Sequence, residues 1–462
     1  MRRITKLMWA PMIVAALCVP AAHSRQQQTP PPSTTPVPAG GSQQSGQGTQ
    51  PASPVQSAST TVTGGLAPNV GDSGDTHSQI TAGLSFSELF DSNFLNASGT
   101  TGWDELSTVS GHFELHRTGA TTDFMVRYVG GGYIDAQNSA NDASYHQLEV
   151  SETLQFRRWT LTLDDLFNYL PDSSFGFGGA GGGLGITLVN PFVPPSETIL
   201  TNVGQRLGNT ALAQVQYEAS PRSAWTFSAN YGLLHFISPG YLDSSNIGVS
   251  AGYNYSLSAR DVLGVSYAFS AFRFSPALES INSHLVQVTY GRHISNRLAF
   301  QAGAGPQLYN ITPIIGPSEG VQLSWGANAS LTYQLGHTSL GANFTHGVSG
   351  GSGILTGATT TVATFSASHQ FGQWTTLNGS VGYSMNNSLA EIGVTAVNYD
   401  GLYASAGITR QLSRSFSVNG NYTFTRQGTN NGPCVGPACA DPFLRHQIWA
   451  GFTWNMRPIP LR

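Results

Sequence analysis

Two segments of the chain carry the spacing Gly-x-Ser-x-Gly, which in some hydrolases holds a nucleophilic serine on a sharp turn between a strand and a helix. They are GVSAG at 248–252 and GVSGG at 347–351. Ser250 lies inside a run of alternating apolar and polar residues, and no helical pattern follows Ser349. We therefore expect both serines to be ordinary wall or loop residues, and we expect the chain not to be an enzyme.

A third motif, GFGGAG at 176–181, has the Gly-x-Gly-x-x-Gly spacing of dinucleotide-binding sites. That motif works only between a strand and a helix, and the sequence around it shows neither pattern. The sequence predicts a flexible loop at this point and no cofactor.

His112, Glu114 and His116 alternate with apolar residues, so they share one face of a predicted strand. Side chains two apart on a strand stand roughly 7 Å from each other, close enough to share a metal ion if a third ligand joins them. The two histidines are about 13 Å apart along the strand and cannot share an ion directly. A metal site and a set of titratable groups lining a wall both remain open, and the wall is favoured.

Long alternating strands carry these residues. In VQLSWGANASLTYQL (321–335), every odd position is apolar or aromatic and every even position is Gln, Ser, Gly, Asn or Thr. The same period of two recurs in SFSVNGNYTFT (415–425) and IGVSAGYNYSL (247–257), and it predicts β-strands. We predict an all-β fold of about 18 strands, within a range of roughly 16–20, because boundaries read from sequence are uncertain by a few residues.

Composition indicates the environment, membrane or water, in which such strands are stable. Charged residues make up 10% of the chain, Gly accounts for 54 residues, and Lys6 is the single lysine. No apolar stretch long enough for a spanning helix follows residue 24. If the chain crosses a membrane, only a closed β-barrel satisfies every backbone group in lipid. Strand lengths above the usual five or six residues, and short turns alternating with long loops, favour an up-and-down antiparallel transmembrane barrel over a soluble β-sandwich.

The first 77 residues have a different composition from the rest. Residues 1–24 combine a basic start with a short apolar run and small residues before a cut after Ser24, which predicts a signal peptide. Residues 25–77 are rich in Pro, Gln and Ser and predict a disordered periplasmic linker, which leaves 78–462 as the barrel. Three of the 20 basic residues lie in the signal, so 17 remain against 24 acidic ones, which argues against nucleic acid as a partner. Cys434 and Cys439, in an exported chain, are predicted to form a small disulfide loop.

The stretch SFSELFDSNFLNAS (85–98), with its element Asp91-Ser92-Asn93, resembles the start of outer-membrane proteins of the beta-barrel porin 2 type in Gram-negative bacteria. The resemblance implies a barrel in the cell outer membrane, some relatives associated with polysaccharide export, and no catalytic residues. The alternation Ile448, Ala450, Phe452, Trp454 looks like a signal for the barrel-assembly machinery, although 455–462 follow it where such signals usually end. An even number of strands places both termini in the periplasm, where the linker could reach a partner. In the outer membrane, the barrel would contact lipid and lipopolysaccharide.

Charged residues predicted to face the lumen lie in the early strands. They are His112, Glu114, His116, Arg127, Glu149, Asp164 and Glu218. Strands between about 223 and 385 are expected to offer a neutral wall of Gly, Ser, Thr, Asn and Gln. Arg127 could simply pair with Glu114 or Glu149, or the charged wall could bias which solutes pass. Glu152 and Asp165 fall out of phase, which a bulge or a shifted boundary would explain.

The sequence favours a porin-like channel for small hydrophilic solutes. The alternative is an outer-membrane component of a polysaccharide export or secretion assembly, for oligosaccharides. The long loop from Pro171 to Gly204 is apolar and rich in Gly, so we expect it to fold into the barrel mouth or to pack on a neighbouring subunit.

Overall fold

The computed structural model describes residues 78–461 with gaps at 97–98, 100–101, 136–141, 172–197, 202–203, 277–278, 313–319, 390–396 and 431–440. The predicted signal peptide and linker, Cys434, Cys439 and the centre of the long loop therefore lie outside the described residues. No helix among the described residues is long and apolar enough to cross a membrane.

The chain forms long antiparallel strands in sequence order. They are β1 (Gln79–Asp91), β2 (Asp104–Thr118), β3 (Thr122–Asp135), β4 (Ala143–Gln155), β5 (Trp159–Leu170), β6 (Arg206–Ser220), β7 (Ser223–Phe236), β8 (Asp243–Ser256), β9 (Asp261–Ser275), β10 (Ser280–Ser295), β11 (Leu298–Thr312), β12 (Gln322–Leu335), β13 (Thr338–Ser349), β14 (Ala358–Phe371), β15 (Thr375–Ser388), β16 (Asn398–Gln411), β17 (Phe416–Thr429), β18 (Phe443–Asn455) and the short β19 (Ile459–Pro460).

Each long strand pairs with its neighbours along the chain, and the ring closes because β1 pairs with both β2 and β18. The fold is a closed, 18-stranded, up-and-down antiparallel β-barrel. Closure leaves the ring without a terminal edge strand, because every long strand has a paired neighbour on each side. The residues after β18 continue along β1, with Ile459 opposite Ile80 and Pro460 opposite Gln79. The C-terminal tail thus extends the closing seam.

Side chains alternate between the two faces of the wall. On β12 the predicted phase is confirmed: Leu323 and Trp325 are 74% and 51% exposed on the outside, whereas Asn328 points inward and is 6% exposed. Outward aromatic residues at two levels, such as Trp159 and Tyr169 on β5, border an apolar band. That band belongs against the hydrocarbon of a membrane, as in other transmembrane barrels.

Glu152 and Asp165 do not reflect a bulge or a shifted boundary. The pairing of β4 with β3 and β5 runs without a register shift, and Glu152 stands opposite Leu163 while Asp165 stands opposite Val150. Both carboxylates therefore belong to the outward face. The expectation of an irregular strand was wrong, and the exception to the apolar pattern is real.

One hairpin leaves the regular wall. β12 and β13 pair only as far as Ala327↔His346, whereas β13 and β14 stay paired up to Ser349↔Ala358. The end of this hairpin separates from β12, and the connecting loop 350–357 turns into the barrel.

Candidate solute pathway

A row of charged side chains crosses four neighbouring strands on the inward face. Glu114 stands opposite Arg127, Arg127 stands opposite Glu149, and Asp164 stands opposite Ser151 one step further along the ring. The Arg127 Nε donates to Glu114 Oε2 at 3.2 Å. Of the two pairings open to Arg127, the ion pair is thus formed with Glu114. We call Glu114, Arg127, Glu149 and Asp164 the acidic row.

The structure separates the remaining predicted wall residues from this row to different degrees. His112 lies beside it and interacts electrostatically with Glu114 and Arg127. His116 Nε2 lies 2.6 Å from Asp123 Oδ1 near the short-turn end of the barrel. Glu218 is exposed at the same end, next to the β6–β7 turn. No cluster of three or more His, Cys, Asp or Glu side chains within the described ranges could hold a metal ion.

The middle of the opposite wall is neutral, and hydrogen bonds join several of its polar side chains. Asn328 on β12 donates to Gln287 Oε1 on β10 at 3.3 Å. Gln307 on β11 donates to Ser283 Oγ on β10 at 2.8 Å. These amides and hydroxyls satisfy one another, so this part of the wall presents dipoles rather than net charge to a solute.

The same wall becomes apolar towards the long-loop end, which we call the mouth. The expectation of a wall made only of Gly, Ser, Thr, Asn and Gln was therefore wrong at this level. The inward residues Phe272, Phe274, Ile281, Tyr309 and Ile311 pack together there, and Val348, from the end of β13 that has separated from β12, packs against them. Packing of this kind inside a barrel narrows the passage, because side chains occupy volume that water would otherwise fill.

The end of the long β5–β6 loop crosses the mouth. Thr198–Thr201, which we call the crossing segment, is buried, with Ile199 only 1% exposed. The Thr198 hydroxyl donates to Asn386 Oδ1 on β15 at 2.5 Å. The Leu200 amide donates to Gln427 Oε1 on β17, and the Gln427 amide donates back to the Leu200 carbonyl, both at 2.8 Å. Since β15 stands opposite β6 in the ring, this part of the loop spans the barrel.

The loop 350–357 enters from a different side and meets the crossing segment. The Ser352 Oγ accepts a hydrogen bond from the Thr198 amide at 2.7 Å. The Gly353 carbonyl accepts one from the Leu242 amide at 2.9 Å. Gly353 has φ +77°, and a Cβ at this position would stand 2.2 Å from the Phe236 ring, so only glycine fits. The crossing segment and loop 350–357 together form the constriction.

A buried ion pair joins the first and last long strands beside the constriction. Arg445 on β18 and Asp91 on β1 are 3% and 0% exposed. The Arg445 Nε donates to Asp91 Oδ2 at 2.9 Å, and its terminal NH2 donates to the same oxygen at 2.6 Å. Gln447 adds a further donor to Asp91 at 2.9 Å. From the sequence, Asp91-Ser92-Asn93 is noted only as a resemblance and Arg445 is not singled out. The missed signal is that both side chains have the inward phase, on the first and last long strands, which pair when the barrel closes.

The ion pair is also connected to the crossing segment. Arg445 donates to Asn96 Oδ1 at 2.9 Å, and Asn96 donates to the Thr201 carbonyl at 3.1 Å. The Arg206 guanidinium donates to Thr201 Oγ1 at 3.0 Å and lies 5.0 Å from the centre of the Phe236 ring. The seam of the barrel therefore anchors one end of the crossing segment, while β15 and β17 hold the other.

The outward carboxylate of Asp165 depends on Asn209, whose Nδ2 donates to Asp165 Oδ1 at 2.7 Å. We expect Asn209→Leu to lower the free energy of unfolding by about 1–3 kcal/mol, because the Asp165 carboxylate would lose the hydrogen bond from Asn209 and still bear the cost of its removal from water. Urea unfolding in phospholipid vesicles, followed by tryptophan fluorescence, measures this. The double variant Asp165→Leu/Asn209→Leu should return close to wild-type stability; equal losses in both variants would contradict the pairing.

No protein-family model matches this chain, and no curated protein sequence matches it. Solved structures resemble it weakly. OccK2 (OpdF) of Pseudomonas aeruginosa is 12% identical, with 82% of this chain and 98% of that chain covered and a TM-score of 0.43. Acinetobacter baumannii OccAB3 is 10% identical over 82% and 99% of the chains, TM-score 0.42. A BenF-like porin from Pseudomonas fluorescens Pf-5 is 8% identical over 83% and 99%, TM-score 0.42.

Proposed function

We propose that the chain is a porin-like channel of the outer membrane of a Gram-negative bacterium, open to small hydrophilic solutes. The observation that carries this proposal is the inward face: a closed ring of long strands with a polar lining and a constriction built from its own loops. A ring of about 18 strands encloses more space than its inward side chains fill, so an aqueous passage is the expected use of such a wall.

The constriction supports a size limit. Backbone and apolar side chains of the crossing segment and of loop 350–357 lie across the mouth, and hydrogen bonds to the barrel hold both segments in place. Segments fixed in this way restrict passage to small molecules. The polar wall below them lowers the desolvation cost for solutes that carry hydroxyl or charged groups.

The placement of the ends follows from the same proposal. With short turns in the periplasm, both chain ends lie there, and a linker over 25–77, exposed after removal of a signal peptide over 1–24, can reach a periplasmic partner. The outward band would contact outer-membrane lipid and lipopolysaccharide, and the barrel-assembly machinery would insert the chain. The Cys434–Cys439 disulfide stays a prediction for the oxidising side of the membrane.

Single-channel recording tests the proposal. The mature chain, residues 25–462, is refolded, checked for β-structure and inserted into a planar bilayer. We expect stable open steps with ohmic current at low voltage. A barrel that is folded by circular dichroism and gives no steps would contradict a passive channel.

The second candidate is the outer-membrane component of a polysaccharide export or secretion assembly. The constriction favours this second candidate, because a mouth that the chain's own loops occupy would need a partner protein to open it. A silent barrel that begins to conduct when loop 350–357 is shortened would support this candidate over a passive pore.

A further inference from the structure

The Glu149 carboxylate is buried in the barrel wall, where a nearby positive charge would stabilise it. The residue is 7% exposed and inward-facing on β4. Within the part of the chain that the structure describes, its Oε2 has no hydrogen-bond partner. A buried ionised carboxylate is costly unless a cation or hydrogen-bond donors compensate it.

The neighbouring charges do not provide that compensation in full. Arg127 is the basic member of the acidic row, and its Nε donates to Glu114 rather than to Glu149. Asp164 receives a hydrogen bond from Ser151 and interacts electrostatically with Glu149. The acidic row thus contains one guanidinium and three carboxylates, so its net charge is −2 when all three carboxylates are ionised.

The two carboxylates left over lie close together. Glu149 and Asp164 stand diagonally across adjacent strands, because Ser151 is the register partner of Asp164. Diagonal neighbours on one face of an antiparallel pair are roughly 7–8 Å apart at Cα, which leaves room for one small cationic group between the two side chains.

We propose that Glu149 and Asp164 form a subsite for the positively charged group of a passing solute, an ammonium or a guanidinium. Arg127 and Glu114 flank it as an internally neutral pair. The other inward arginines that the structure describes at the mouth, Arg206 and Arg445, already bond to Thr201, Asn96 and Asp91. Among the described residues, the pathway therefore attracts cations and offers anions no comparable site. This inference rests on the proposed channel function and names its substrate class.

The test measures which ions cross the open channel. Reversal potentials in a gradient of guanidinium chloride, at about 0.1 M ionic strength to limit screening, give the permeability ratio of guanidinium to chloride. We expect a clear cation preference in the wild type. Glu149→Gln/Asp164→Asn should reduce the ratio several-fold towards equal permeability, and each single variant should reduce it in part. Asp164→Glu should keep the preference.

A matched control separates the subsite from net charge. Asp400→Asn removes the same charge from an outward position on β16 and should leave the ratio unchanged. Open channels without cation preference, or with a preference that the double variant retains, would overturn the subsite and leave the channel function intact. No current from folded wild-type barrels would overturn the channel function, and the subsite with it. Refolding yield of each variant is checked first by heat-dependent migration on gels.

Discussion

Arg445→Leu is expected to cost about 3–5 kcal/mol of unfolding free energy, the amount typical when one partner of a buried ion pair is removed. Asp91 would remain in the wall with 0% exposure and without the guanidinium that makes its shortest contact, at 2.6 Å. The effect should be large because the pair joins β1 to β18, the one place where the ring is closed by strands far apart in sequence. Urea unfolding in phospholipid vesicles, together with the yield of heat-resistant folded barrel, measures it.

Two further variants show whether the loss comes from the unpaired charge. Arg426→Leu removes an arginine from an exposed outward position on the adjacent strand β17 and should change stability little. Asp91→Leu/Arg445→Leu removes both charges and should recover most of the stability, since a buried pair is often replaceable by apolar residues. If Arg445→Leu refolds too poorly to measure, Asp91→Asn is the milder probe. Equal stability of Arg445→Leu and Arg426→Leu would exclude a closing role for the pair.

The strands could be predicted from sequence because their signal is local. The alternation in 321–335 predicts β12 to within one residue of the observed Gln322–Leu335. A period of two also fixes which side chains share a face, so the inward positions of Glu114, Arg127, Glu149 and Asp164 followed from apolar neighbours such as Phe113. Short turns set the register of β2 with β3 and of β4 with β5, whereas the longer segment 136–142 joins β3 to β4.

The constriction could not be predicted in the same way. Its contacts join residues far apart in sequence, such as Thr198 with Asn386 and Leu200 with Gln427. The apolar character of Pro171–Gly204 indicated that other residues cover the loop, but it did not indicate which residues these are. On β9, Phe272 and Phe274 point inward on either side of the outward Arg273, and the alternation alone does not show which residues of other strands pack against them. Loop 350–357 is short and rich in Gly, and nothing local distinguishes it from a surface turn.

Shortening loop 350–357 is expected to raise the single-channel conductance several-fold and to admit larger solutes. Because β13 and β14 remain paired up to Ser349↔Ala358, an Asn-Gly turn can replace the eight loop residues and close the hairpin with a two-residue turn. The change removes Leu355 and Gly353 from the mouth together with the Ser352 hydroxyl that holds the Thr198 amide. Planar-bilayer recording and the uptake of neutral sugars of increasing size into liposomes measure the result.

The same turn placed elsewhere is the control. Gly336 and His337 connect Leu335↔Thr338 at the opposite end of the barrel, and replacing them with Asn-Gly should leave conductance unchanged. Asn386→Ala/Gln427→Ala, which frees the crossing segment without shortening any loop, should give a smaller gain and noisier current, because Arg206 and Asn96 still hold Thr201. Unchanged conductance after loop shortening would mean that solutes pass by another route, since the segments now spanning the mouth would then not set its width.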